Sequence, residues 1–192
     1  MAPAAGEKRF DYGGMPTGIA TEPDKYQNWE FNYPDRMDVA AMGRVWYLEC
    51  QARTRMGDAA GLVESIRKVC AVGRAGGYYW RERYGAAGGY GAQKYCEYPA
   101  NLIRIVQRFL FGVDLRLDGA LALSPMTPPE FWKQGFGQSI NWRGCTLSYH
   151  MRRGRLLGEY AGNTPLVLVV AGKTLTLPPS NPGRAHRFNS RV

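Results

Sequence analysis

Between Gly73 and Tyr98 the chain sets glycines at 73, 76, 77, 85, 88, 89 and 91 among Tyr78, Tyr79, Trp80, Tyr84, Tyr90, Tyr95 and Tyr98. Glycine lets a backbone turn where a side chain would clash. Aromatic rings offer flat faces to sugar-like ligands as well as to a core. The combination suits a carbohydrate site, with Trp80, Tyr84 and Tyr95 as candidate substrate-contacting rings, and it also suits a packed surface loop. A connection of this length inside a compact domain is either functional or unstructured, and its aromatic density speaks against the second. A smaller cluster, residues 26–33, places Trp29 beside Glu30. It reads either as a loop folded over a helix end or as a second ligand-facing segment.

Other chemistries find less material. Cys50, Cys70, Cys96 and Cys145 have no C-x-x-C spacing, and His150 and His186 are the two histidines. No zinc site or other metal site is expected from that set. Free thiols are expected rather than a disulfide framework, although Cys50 and Cys70 sit where a helical hairpin could face them together. No cofactor-binding motif stands out. No apolar run reaches the 18 residues of a membrane span, and the first residues lack the apolar core of a signal peptide. The net charge of +9 permits a polyanionic partner. The basic residues read as scattered, with local groups at Arg152, Arg153 and Arg155 and at Arg184, Arg187 and Arg191. Nucleic acid is therefore not the favoured partner, and most of the charge reads as solvated surface.

The elements that must position these residues follow from periodicity. Residues 1–34 show no sustained period and read as irregular. A helix is expected from Asp35, with Met37, Ala41, Val45, Leu48, Ala52 and Met56 on its buried face. Gly57 ends it, and Asp58 caps a second helix near residues 59–72 that buries Leu62, Val63, Ile66, Val69 and Cys70. A two-residue link makes the pair an antiparallel hairpin. Pro99 suits the first turn of a third helix, with Leu102, Ile105, Val106, Phe109 and Leu110 inward and Gly112 as its stop. Beyond it the period becomes two. Leu121 and Leu123; Leu147, Tyr149 and Met151; Leu156 to Tyr160; Leu166, Leu168 and Val170; and Leu175 with Leu177 form short strands joined by hairpin turns. The fold class expected is α+β: a helical segment over 1–112, an antiparallel β-sandwich-like domain over 113–178, and a flexible basic tail over 179–192.

Four motifs at the junction carry a resemblance. They are Leu110-Phe111-Gly112-Val113, Asp118-Gly119-Ala120-Leu121-Ala122-Leu123-Ser124-Pro125, Pro129-Glu130-Phe131-Trp132 and Trp142-Arg143-Gly144. Their order and spacing resemble the C-terminal end of six-hairpin (α/α)6-barrel carbohydrate enzymes. That group includes glucoamylase-like and α-L-rhamnosidase-like hydrolases and the maltose- and cellobiose-type phosphorylases. Ala120 is one residue more than the usual second motif holds. The likeness covers residues 95–150 firmly and 35–178 loosely.

The resemblance implies that the helices are the end of such a barrel and that the strands are its C-terminal β domain. It also implies a carbohydrate substrate and an inverting reaction with two carboxyl groups, one protonating the leaving oxygen and one activating water. In the glucoamylase-like members the base lies in the loop before the last helix. Here that loop reads Trp80-Arg81-Glu82-Arg83-Tyr84, which makes Glu82 the candidate base. Its flanking guanidinium groups favour the ionised form that a base requires, and a plain surface ion pair would use the same residues. Glu97 is the second candidate. It stands where phosphorylases carry small hydroxyl residues, and its charge would repel phosphate, which tilts the reading toward hydrolysis. Glu30 is a third. The general acid of the group has no counterpart, and a full barrel needs about twelve helices. The chain thus reads as the C-terminal piece of a larger enzyme, inactive alone, whose partner is the missing N-terminal barrel portion or a separate subunit. A glycoside phosphorylase fragment and a non-catalytic sugar-binding or structural module are the alternatives.

Overall fold

The computed structural model describes residues 9–12, 15–19, 41–85, 88–180 and 184–191, and two compact units meet in sequence at Val106 and Gln107. The chain thus changes unit at the end of the third helix, a few residues before the boundary expected at 112.

In the first unit, β1 (Arg9–Tyr12) and β2 (Met15–Ile19) pair as an antiparallel hairpin, so this part of the N-terminal region is ordered where no regular element was expected. The short strand β3 (Ala41–Met42) leads into α1 (Gly43–Arg55). A helix running through from Asp35 is excluded at residues 41 and 42: Met42 is extended, and Ala41 and Met42 pair with Tyr84 and Arg83. Residues 35–40 lie outside the described residues. The buried face of α1 is also rotated from expectation. Gly43, Trp46 and Cys50 point inward, while Leu48 and Met56 are exposed. The reason is polar as well as apolar. The Trp46 indole N–H donates to Ser65 Oγ at 3.0 Å, and a wide ring with a satisfied N–H outcompetes a leucine for the interior.

Gly57, at φ +72°, turns the chain into α2 (Ala59–Ala75). Asp58 caps α2 by accepting the Gly61 N–H at 2.9 Å. Leu62, Val63, Ser65, Val69 and Gly73 are its buried positions. The long glycine- and tyrosine-rich connection is a hairpin. Strands β4 (Arg83–Gly85) and β5 (Gly88–Tyr90) pair antiparallel, and β3 completes a three-stranded sheet. Beyond the strands the two arms stay joined, with Glu82 N–H donating to Ala92 O at 3.0 Å and Tyr95 N–H to Trp80 O at 2.9 Å. Helix α3 (Glu97–Ile105) follows and passes into a π-helical turn over Val106–Leu110.

The second unit is a two-layer β structure. One sheet has the order β12–β11–β7–β6, from β6 (Val113–Leu115), β7 (Leu121–Leu123), β11 (Leu166–Val170) and β12 (Lys173–Leu177). The other has the order β13–β10–β9–β8, from β8 (Phe136–Trp142), β9 (Cys145–Arg152), β10 (Arg155–Ala161) and β13 (His186–Arg191). Alternate residues of both sheets meet in one core that includes Leu121, Leu123, Leu147, Tyr149, Met151, Leu156, Tyr160, Leu168 and Val170. A short helix, α4 (Pro129–Gln134), sets Trp132 edge-on to Phe136 at 5.2 Å.

The expected α+β class therefore holds, with a helical part followed by a β-sandwich-like part. Two details differ. β7 and β11 pair in parallel, because the chain builds the whole β8–β9–β10 meander before it returns to the first sheet. And the expected free tail is an edge strand over 186–191, with Arg187 opposite Glu159 and Phe188 opposite Gly158. Gly158 leaves the space that the Phe188 ring fills: a Cβ there would stand 2.5 Å from that ring.

Candidate functional site

The hairpin from Trp80 to Tyr95 holds four of the residues singled out in the sequence. Trp80 is buried, its indole N–H donates to Val69 O at 3.0 Å, and its ring lies on Gly73, where a Cβ would be 2.0 Å from the ring. Tyr84 is buried, its hydroxyl accepts the Arg81 N–H at 3.0 Å, and its ring meets Tyr98 edge-on at 5.7 Å. Both rings are therefore spent on packing, and the expectation that Trp80 and Tyr84 offer stacking faces gives way to a structural role. The physical reason is the hairpin itself. Its glycines bring the two arms close, and the largest rings seal the space beneath against α2 and α3.

The rings left open are others. Tyr78 is 72% exposed, Tyr79 is 53% exposed and Tyr95 is 37% exposed. Tyr78 and Lys94 both hold positive φ, at 66° and 52°, a conformation that side-chain-bearing residues adopt at a cost. The Lys94 ammonium lies 4.6 Å from the centre of the Tyr79 ring. Sequence reasoning counted Tyr78 and Tyr79 among the loop's aromatic residues but singled out Tyr95 of the three, and it passed over Lys94. No sequence signal separates exposed from buried tyrosines in this stretch, because that depends on which side of the hairpin each one takes.

Glu82 sits at the hairpin's neck. One carboxylate oxygen accepts the Ala92 N–H at 3.1 Å, and the other lies 3.3 Å from an Arg83 guanidinium nitrogen. The side chain keeps 28% of its surface exposed. The close approach of Gly91, where a Cβ would be 2.8 Å from a Glu82 oxygen, fixes the carboxylate's direction. Among the described residues, Arg83 is the flanking arginine that pairs with Glu82.

Glu97 has a different employment. Its Oε1 accepts the backbone N–H of Arg44 at 2.8 Å, in the first turn of α1. It therefore serves as the acceptor for a helix start whose own N-cap residue, Met42, supplies none. The structure thus gives the two carboxylates separate tasks, one at the hairpin's neck and one at a helix start. Trp29 and Glu30 lie outside the described residues.

A polar chain links α1 to α2 and its cap. Trp46 N–H bonds Ser65, Ser65 Oγ reaches Glu49 at 3.3 Å, Glu49 binds Arg53 at 2.7 Å, and Arg53 binds Asp58 at 2.5 Å. Cys50 lies beside it with its thiol 4.0 Å from Ser65 Oγ. Burial, reinforced by the Glu49 charge, pushes that thiol up to about 12. Such a thiol is a packing group rather than a nucleophile. Among the described residues the four cysteines are free, no group of three His, Cys, Asp or Glu is gathered as a metal site, and no helix is long and apolar enough to cross a membrane.

No protein-family model matches the chain, and no curated protein matches it. Among solved structures it is similar to a chain described as "Putative kojibiose phosphorylase from human microbiome", with a TM-score of 0.48 and 13% identity. The match covers 79% of this chain and 20% of that one, so the chain spans about a fifth of that neighbour's length.

Proposed function

We propose that this chain forms the C-terminal portion of a carbohydrate-active enzyme that cleaves glycosidic bonds, with Glu82 as general base. The observation that supports the reading is the way the resemblance motifs meet in space. Gly112, at φ +66°, accepts the Ser124 N–H at 2.9 Å, which lays Leu110–Val113 against the end of Asp118–Pro125. Asp118 closes its own turn by accepting the Ala120 N–H at 2.9 Å, which accommodates the additional residue. Trp132 and Phe136 then pack together in the corner that follows.

In this reading the Glu82 carboxylate, held by Ala92 N–H, draws a proton from the attacking water. The open rings of Tyr78, Tyr79 and Tyr95 provide apolar faces for a sugar. The general acid comes from the rest of the barrel, some 6.5–9.5 Å across the scissile bond in an inverting enzyme. Hydrolysis rather than phosphorolysis is the form proposed, because Glu97 brings a second negative charge into the segment where the phosphorylases place small hydroxyl residues.

The test is carried out on the longest native product that contains this chain. Reducing-sugar release from neutral oligosaccharides is measured with and without phosphate, for the parent and for Glu82→Gln. Phosphate-independent release that falls at least about a hundredfold in Glu82→Gln, with sugar affinity kept, is the expected result. Release that requires phosphate makes the enzyme a phosphorylase. Full turnover in Glu82→Gln removes that residue from the mechanism. Saturable sugar binding with no release at all would make the chain a binding module.

A further inference from the structure

The charge of this protein is not evenly spread. Residues 107–192 carry eleven Lys and Arg against four Asp and Glu, a net +7 of the whole chain's +9. Part of that excess is concentrated in a row. Arg152 of β9 stands opposite Arg155 of β10, and Arg155 stands opposite Arg191 of β13. All three are exposed on the sheet face turned away from the core, as the burial alternation along each strand requires. Neighbouring strands are about 4.8 Å apart, so the three arginine side chains leave the sheet at about that interval. Like charges placed directly opposite one another destabilise a sheet. Here the arrangement is repeated across two strand pairs without a carboxylate between them.

What surrounds the row is neutral or basic. Arg155 donates to Asn189 Oδ1 at 3.1 and 3.3 Å, Arg152 to Lys133 O at 3.4 Å, and the Lys173 ammonium to Arg191 O at 3.1 Å. The acidic residue on this sheet face, Glu159, lies two rows away and is bound by Arg187 at 2.8 Å. Beside the row lies a shallow depression of about 750 Å³ whose lining includes Ser139, Ser148, His150 and Asn189 together with the Glu159–Arg187 pair.

We infer that this face binds an acidic polysaccharide, with the Arg152–Arg155–Arg191 row taking its carboxylate or sulfate groups and the depression taking neighbouring sugar rings. The guanidinium fork matches planar oxyanions in two-point contacts. The serine and asparagine side chains suit sugar hydroxyls. Among the described residues the face has no exposed aromatic ring on which a nucleic-acid base could stack. The choice of polysaccharide rests on the carbohydrate reading given above, while the row itself does not.

The experiment uses the full chain and three probes: polygalacturonate, dextran sulfate and uncharged dextran. The first two should be retained in a salt-sensitive manner and the third should not. Arg152→Gln with Arg155→Gln should weaken retention roughly tenfold, the size expected from the loss of two exposed charge pairs. Arg108→Gln with Arg116→Gln removes the same charge elsewhere in the unit and should leave most of it. The first double variant should also unfold at equal or higher denaturant concentration, since it relieves repulsion, and that outcome separates loss of a site from loss of the fold. Equal weakening by both double variants, no retention of either acidic probe, or tighter retention of duplex DNA than of both would each overturn the proposal. Turnover of a neutral oligosaccharide is read separately, so a failure there leaves polyanion binding by the row standing, and the reverse holds too.

Discussion

Glu97 of α3 accepts a hydrogen bond at 2.8 Å from the backbone N–H of Arg44, and so completes the N-terminus of a helix 53 residues earlier in the chain. Gly43 makes the contact possible. A Cβ at that position would lie 2.8 Å from Glu97 Cγ and 3.1 Å from its carbonyl carbon. The carboxylate meets both a helix-start donor and the positive end of the helix dipole.

Glu97→Ala should therefore cost about 1 kcal/mol of stability, in the range of a lost N-cap, and Glu97→Gln less, because an amide oxygen still accepts. Gly43→Ala should cost more than either, since backbone as well as side chain stands in the way. Urea titrations of the three variants check the order. A turnover assay on Glu97→Gln is also informative. Near-normal turnover fits a cap, and a loss of about a hundredfold would restore Glu97 to the chemistry.

Tyr98 supplies a second prediction. It is fully buried between Trp46, at 6.0 Å, and Tyr84, at 5.7 Å. Its hydroxyl has no hydrogen-bond partner among the described residues. An unmatched buried hydroxyl costs more than its removal. Tyr98→Phe, which keeps the ring contacts, should be neutral or stabilising by up to about 1 kcal/mol. A clear loss in thermal or urea midpoint would mean that the hydroxyl is satisfied after all.

The third prediction concerns acid. The Gly61 N–H, aided by Arg53, holds the Asp58 carboxyl below its usual value. A carboxyl depressed in the folded state contributes stability that is whole above its unfolded value. That contribution is lost as pH falls through the folded value. The parent should thus lose stability as pH drops below about 4, the unfolded range for aspartate. Asp58→Asn, which still caps α2, should be less stable than the parent at neutral pH and should show a shallower acid decline. Urea midpoints at a series of pH values would reveal parallel curves if the Asp58 contribution were absent.

How far the sequence led depended on whether the signal was local. The strands at Leu121, Leu147, Leu156, Leu166 and Leu175 were legible because each carries its own alternation, and Asp58 was legible because capping acts over three residues. The face of α1 was not. Choosing Trp46 over Leu48 depends on Ser65, which lies on the next helix. The hairpin at 80–95 was hidden because its glycines interrupt any period, so its tyrosines gave no hint of which would be buried. The same holds for Glu97, whose partner is 53 residues distant. The arginine row was hidden because Arg191 joins Arg152 and Arg155 only through the pairing of an edge strand that composition alone described as tail.

Gly112 precedes β6 and brings two backbone segments into contact through the Ser124 N–H. It holds φ +66°. A Cβ there would fall 2.0 Å from the carbonyl carbon and oxygen of Ser124 and 2.5 Å from Pro125 N, all of them backbone atoms that no rotamer change can move aside. Gly112→Ala therefore combines a left-handed conformation with a backbone collision, and should cost about 3 kcal/mol or more. Gly144 and Gly172 provide the comparison. Both hold φ of +74°, and an alanine methyl at either would meet nothing within 4 Å. Alanine there should cost only the conformational part, about 1 kcal/mol. If all three substitutions cost the same in urea titrations, the contact between Gly112 and Ser124 is not tight. The junction between the two motifs would then lose its claim to hold the β unit's first sheet in place.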